Sequence, residues 1–209
     1  MKLSYAICTH NEVDSLLNLL DKIAHNKNEA DEVIILDDYS TNKQTIEILK
    51  SQPNVYYNNL NKDYAVHKNK LITKCSGDYI FQLDADEYPT QTLFKNIKNI
   101  LRKNPKVELF RVPRENYVTD IQSHHLKKWN WTIDTKSRIN YPDYQTRIFK
   151  NKKSIRWTRP VHEYIIGHTS ATNLPKDQQL DLIHTKSISK QETNNTRYDT
   201  NYNSDGSVK

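Results

Sequence analysis

Asp84, Asp86 and Glu87 crowd three carboxylates into four positions directly after the run Asp78-Tyr79-Ile80-Phe81-Gln82-Leu83. Carboxylates at that spacing repel one another unless a cation or a set of donors lies between them. A hard divalent ion such as Mn²⁺ or Mg²⁺ suits oxygen ligands of this density. The plainer alternative is a solvated acidic turn that caps the following helix. Two further polar clusters stand upstream, Thr9-His10-Asn11-Glu12 and Asp37-Asp38. Each follows a short apolar run, Leu3 to Cys8 and Val33 to Leu36.

Those runs must be strands if the clusters are to meet. Tyr79 to Leu83 is β-rich and largely apolar, the pattern of a strand covered on both faces. Between the runs, Leu16, Leu19, Leu20 and Ile23 recur at helical spacing, as do Ile46 and Leu49. Tyr64 to Cys75 reads as a further helix, with Gly77 ending it. Asn11 is a reasonable cap for the first helix, and Ser40 or Thr41 for the second. Val55 to Tyr57 is a third strand. Strand–helix alternation with short connections predicts an α/β fold with a mostly parallel sheet and helices on both faces. In such sheets ligands bind at the carboxyl ends of the strands. The three polar clusters then share one edge. There they can hold a nucleoside diphosphate, with carboxylates for base and ribose and a cation for the phosphates.

At this point the chain resembles the family 2 glycosyltransferases of GT-A fold. The matching residues are Ser4 to Glu12, Val33 to Ser40, Lys68-Asn69, Gly77 to Ile80 and Leu83 to Glu87, with fainter continuation through Arg147-Ile148-Phe149, Trp157, Val161-His162-Glu163 and His184. The resemblance implies that Thr9, Asn11, Glu12, Asp38, Lys68 and Asp84 form the nucleotide pocket. It makes Asp86 the main metal ligand, shared with Asp84 and His184, with His162 competing for the histidine role. Lys68 stands where an Arg is frequent, and Tyr39 where a Gly is common. Glu163 is the candidate base, after a strand and a Trp able to stack on sugar. The bland reading pairs Glu163 with a cation such as Arg159. Trp129 and Trp131 are either a sugar-stacking wall or pins for a long irregular loop from Arg114 to Tyr141.

The implied activity is transfer of a sugar from a nucleotide-sugar donor, UDP-linked, to an acceptor hydroxyl, with inversion and with Mn²⁺ or Mg²⁺ as cofactor. Glycan, lipid-linked or protein acceptors all fit. The rivals are a sugar-phosphate nucleotidyltransferase and a non-catalytic carbohydrate-binding module with a relict site. The nucleotidyltransferase class normally carries a Gly-rich, basic N-terminal loop, which Thr9-His10-Asn11-Glu12 is not.

Composition bounds the rest. The 209 residues carry a net charge of +6 and 35% hydrophobic side chains. That suits one domain over residues 1–189, with a nucleotide-binding half (1–90) and an acceptor half (91–189). Residues 190–209 are a polar tail, read as frayed helix or disorder. A basic balance fits an anionic ligand. The cations are dispersed rather than clustered in arms, which argues against nucleic acid. Cys8 and Cys75 read as free thiols of a reducing, cytoplasmic compartment. The first strand begins at once, leaving no room for a signal peptide, and no apolar run reaches the length of a membrane span.

Overall fold

The computed structural model describes residues 1–209. Seven strands form the main sheet: β1 (Leu3–Thr9), β2 (Glu32–Asp37), β3 (Val55–Tyr57), β4 (Tyr79–Asp84), β6 (Leu109–Val112), β8 (Gln145–Lys150) and β11 (Ala171–Asn173). Their order is β11-β6-β8-β4-β1-β2-β3. The strands β4, β1, β2 and β3 run parallel, and β8 lies antiparallel between β4 and β6. A second sheet combines β5 (Glu87–Pro89), β12 (Leu182–Ser187) and β7 (Arg114–Thr119). A hairpin of β9 (Arg156–Thr158) and β10 (Tyr164–Ile166) completes the strands.

The helices divide between the sheet's two faces because successive strand side chains point to opposite sides. Leu3, Tyr5 and Ile7 of β1, with Phe81 and Leu83 of β4, meet Leu16, Leu19 and Ile23 of α1 (Asp14–Asn26) and Leu93, Phe94 and Ile97 of α4 (Gln91–Lys103). Ile48 and Leu49 of α2 (Lys43–Lys50) join the same core. On the opposite face Ala6, Ile34, Leu36 and Ile80 meet Ala65 and Leu71 of α3 (Tyr64–Ile72) and Trp157 and Ile165 of the hairpin. Each buried Leu, Ile or Phe among them contributes roughly 1.5–3 kcal/mol. The close fit of α3's exit against β1 requires Gly77, where an added Cβ would lie 2.7 Å from Ser4 Oγ.

Several boundaries differ from the sequence reading. Asn11 does not cap α1. It adopts φ 52°, and its Oδ1 accepts from Thr41 N–H and Asn42 N–H, both at 2.8 Å. The cap of α2 is Asn42, accepting from Gln44 and Thr45, while the Ser40 hydroxyl donates to Asp37. The stretch read as an irregular loop holds β7 and a short helix, α5 (Ser123–Trp129). The segment read as frayed helix or disorder carries helix α6 (Ile188–Asn201), which begins two residues earlier, is capped by Ser187 and is followed by buried Tyr202. No helix is long and apolar enough to cross a membrane.

Candidate functional site

The parallel register brings the three polar clusters together. Thr9 stands opposite Asp37, and Cys8 opposite Asp84. Asp38 N–H donates to Thr9 O at 3.0 Å and Ala85 N–H to Cys8 O at 3.2 Å, so the strand-end turns are stitched side by side. They open into a cavity of about 360 Å³. Thr9, Glu12, Asp38, Lys68, Asp84, Asp86, Glu163 and His184 all line it. Asn11 does not, because its amide holds the β2–α2 connection. His162 is exposed and also stays outside.

The acidic turn is organised by a buried ion network. Glu87 is 1% exposed and Arg147 3%. Arg147 Nε donates to Glu87 Oε1 and Arg147 Nη2 to Asp84 Oδ2, both at 2.5 Å. Arg114 bridges Glu87 (3.3 Å) and Asp143 (2.7 Å). Glu87 is therefore the anchor of the turn rather than a bystander. Burial pushes the Asp84 carboxyl up, but Arg147 and Lys68 outweigh it and leave Asp84 below its ordinary value.

Asp86 faces the other way, into the cavity. Its Oδ2 lies 3.4 Å from His184 Nε2 and 3.2 Å from Lys190 Nζ. Burial again pushes this carboxyl up, and the hydrogen bond and charge of His184, with Lys190, hold it well below the usual carboxylate range. His184 is oriented from behind. Asn116 donates through Nδ2 to Asp143 Oδ2 at 2.9 Å, which turns its Oδ1 toward His184 Nδ1 at 2.8 Å. With Nδ1–H donated to Asn116, Nε2 is the nitrogen left facing Asp86: it donates to the carboxylate when the ring carries two protons and offers its lone pair to a cation when the ring is neutral, the usual outer-shell support of a metal-binding histidine. Asp86 and His184 thus offer one oxygen and one nitrogen to a cation. Asp84, read as a third ligand, gives its Oδ2 to Arg147, and no cluster of three or more His, Cys, Asp and Glu side chains converges on a metal geometry. A divalent ion here would take its remaining ligands from phosphate oxygens and water, as Mg²⁺ and Mn²⁺ commonly do.

Glu163 sits in the β9–β10 loop. Its ion partner is Lys68 Nζ at 2.5 Å, not Arg159, which donates instead to the Asp205 carbonyl. Lys68 is 5% exposed and also lies 3.9 Å from Asp84. Burial pulls its pKa down, and Asp84 and Glu163 more than reverse this, keeping the ammonium charged. Tyr64 N–H donates to Pro160 O at 2.9 Å, and the Asn69 amide exchanges two hydrogen bonds with the Trp157 backbone, so α3 fixes the loop. Trp157 is 4% exposed, with Nε1 donating to Gln82, and serves as core packing rather than a sugar platform. Thr9 Oγ1 is buried without a hydrogen-bond partner. A polar atom left so at a cavity wall suits a ligand.

The α6 contribution was not visible in sequence. Lys190, Gln191, Asn194, Arg197 and Tyr198 line the cavity, with Lys186 just before the helix. Their spacing of three and four residues marks one helical face, but its composition is that of a solvated tail.

The profile described as glycosyl transferase family 2 matches residues 4–175. The chain belongs to that family. Among curated relatives, a TPR repeat-containing protein of Synechococcus elongatus is 26% identical over 143 residues, covering 68% of this chain and 31% of its own length. The prophage-derived glycosyltransferase SunS of Bacillus subtilis is 24% identical over 163 residues, covering 75% of this chain and 33% of its own. The chain therefore spans about a third of the length of these relatives. Among solved structures, residues 1–349 of Staphylococcus aureus TarS match with TM-score 0.60 at 15% identity, over 88% of this chain and 60% of that one. The TarS complex with UDP-GlcNAc gives TM-score 0.60 at 17% identity, over 89% of this chain and 59% of that one. These likenesses give the family 2 domain its GT-A fold.

Proposed function

We propose that this family 2 domain transfers a sugar from a UDP-linked donor to an acceptor hydroxyl, with inversion, using Mn²⁺ or Mg²⁺. What carries the reading is the convergence of Thr9, Asp38, Asp84, Asp86 and Glu163 on one cavity at the carboxyl edge of the parallel strands. In support, TarS has been crystallised with UDP-GlcNAc. Thr9 and Asp38 would meet the base, Asp84 the ribose, and Asp86 with His184 the cation. When bound, the cation would neutralise charge on the departing diphosphate. The acceptor oxygen forms its bond to the anomeric carbon as the carbon–phosphate-oxygen bond breaks. Its proton passes to Glu163, which Lys68 orients, and the nucleoside diphosphate leaves. Direct displacement from the face opposite the leaving group gives inversion.

The test is turnover of a panel of nucleotide sugars with and without Mn²⁺. Asp86→Ala should remove the metal stimulation, a loss of about 10²-fold or more in kcat. Glu163→Gln should keep nucleotide binding and lower transfer by about 10²–10⁴-fold. Undiminished turnover in the first variant sinks the metal assignment. In the second, it moves the base elsewhere.

A further inference from the structure

Lys190 places a positive charge where the proposed cation belongs. Its Nζ approaches Asp86 Oδ2, the same oxygen that faces His184 Nε2. Glu12 holds the ammonium from the other side. Lys190 lies in the first turn of α6, so these contacts pin the start of the helix against the cavity, which Gln191, Asn194, Arg197 and Tyr198 also line. Lys186 and Arg197 face the same cavity, and neither has an acidic side chain within ion-pair distance.

We propose that the Lys190 ammonium and a divalent cation are alternative occupants of the Asp86–His184 site. This rests on the metal role proposed above for those two residues. Two cations cannot share one carboxylate oxygen at these distances without strong repulsion. As one occupant, Lys190 neutralises Asp86 and latches α6 down. As the other occupant, a divalent ion held by Asp86 and His184 would take Asp86 from Lys190. The helix then loses one of its two ion pairs at that end, and Lys190 becomes available, with Lys186 and Arg197, to the anionic diphosphate that accompanies the metal. The lysine thereby couples the metal state of the site to the position of α6. It also sets a threshold, because the ion must displace an internal competitor before it binds.

Mn²⁺ alone is the probe, titrated into the full chain without nucleotide and followed by the electron paramagnetic resonance signal of the free ion. Lys190→Gln removes the competitor and should bind Mn²⁺ about tenfold more tightly than wild type, a change of about 1.4 kcal/mol. Lys190→Arg keeps the charge and should stay near wild type, which separates charge from any effect on folding. Hydrogen exchange gives the second readout: Mn²⁺ should speed exchange over residues 188–194 in wild type and leave Lys190→Gln unchanged. Equal Mn²⁺ affinity in wild type and Lys190→Gln, or weaker binding in the variant, overturns the competition while leaving the metal role intact. Absence of Mn²⁺ binding in both proteins overturns the competition and the metal role together. Turnover of nucleotide sugars bears separately on the transferase reading.

Discussion

Arg147 holds two carboxylates at once, and the acidic turn depends on it. The guanidinium fork spans Glu87 and Asp84 at 2.5 Å each; Arg147 and Glu87 are closed to solvent, while Asp84 stays open to the cavity. Removing one partner of a buried pair leaves an uncompensated charge, which costs about 3–5 kcal/mol. Arg147→Ala should lose stability on that scale in urea denaturation followed by circular dichroism. Arg147→Lys should fall between, since an ammonium cannot make the planar two-oxygen contact. A loss under about 1 kcal/mol for the alanine variant would mean that Arg114 alone can satisfy Glu87. At this scale the sequence was partly legible. Asp84, Asp86 and Glu163 stand out because their types and their place after strands are local features. Arg147 enters the sequence reading only within the fainter part of the family resemblance, because nothing in Gln145 to Lys150 says which carboxylate it meets sixty residues away. Tyr39 is a related case. It occupies φ 46°, a left-handed conformation that accounts for glycine being common there.

At the scale of elements, the strands and helices of the first ninety residues followed from periodicity, while caps and edges did not. Asn11 and Ser40 look like helix caps by type, yet both spend their side chains on the turn between β2 and α2. Side-chain hydrogen bonding of Asn and Ser is a competition among nearby backbone groups, and tertiary placement decides it. The opposite edge of the sheet shows how one side chain can bind three segments. Glu32, first in β2, accepts from Lys2 Nζ and Ser4 Oγ on the β1 side and from Ser76 N–H and Oγ before β4. Burial pushes its carboxyl up, but these donors bring it from 4.5 down to about 2. A depressed carboxylate stabilises the fold above its unfolded pKa, and the contribution is lost as pH falls from about 4.5 toward 2. Screened by neighbouring solvent, it should amount to about 1 kcal/mol. Glu32→Gln should therefore be less stable than wild type at pH 6 by about that much, with the gap shrinking toward pH 3. A gap that is constant across this range would assign the difference to hydrogen-bond geometry instead of charge.

Across the whole molecule, stability is unevenly distributed, and the functional edge sits at its weak end. The strands β1 and β4 lie between two apolar cores, with Leu3, Ala6, Ile7, Ile80, Phe81 and Leu83 all 1% exposed or less. Helix α6 is different. Gln191 is its one buried residue, and what holds it is polar: Lys190 to Glu12 and Asp86, Arg197 over Tyr64, and Tyr198 near Tyr64. Beyond it, Tyr202 is buried and Arg159 donates to the Asp205 carbonyl, so the end of the chain is hooked onto the loop that carries Glu163. Hydrophobic pattern is what makes an element legible in sequence, and α6 has almost none. The same poverty makes it the element that opens first, since segments with few buried apolar contacts unfold locally below the global free energy. Native-state hydrogen exchange should find the α6 amides opening at a free energy about 2 kcal/mol or more below those of Ile7 and Leu83. A nucleoside diphosphate bound with Mn²⁺ gives the helix's cations new anionic partners and should raise α6 protection while leaving β1 and β4 unchanged. If α6 without ligand exchanges as slowly as β1 and β4, the helix is a fixed wall of the cavity, and its cations meet the substrate without moving.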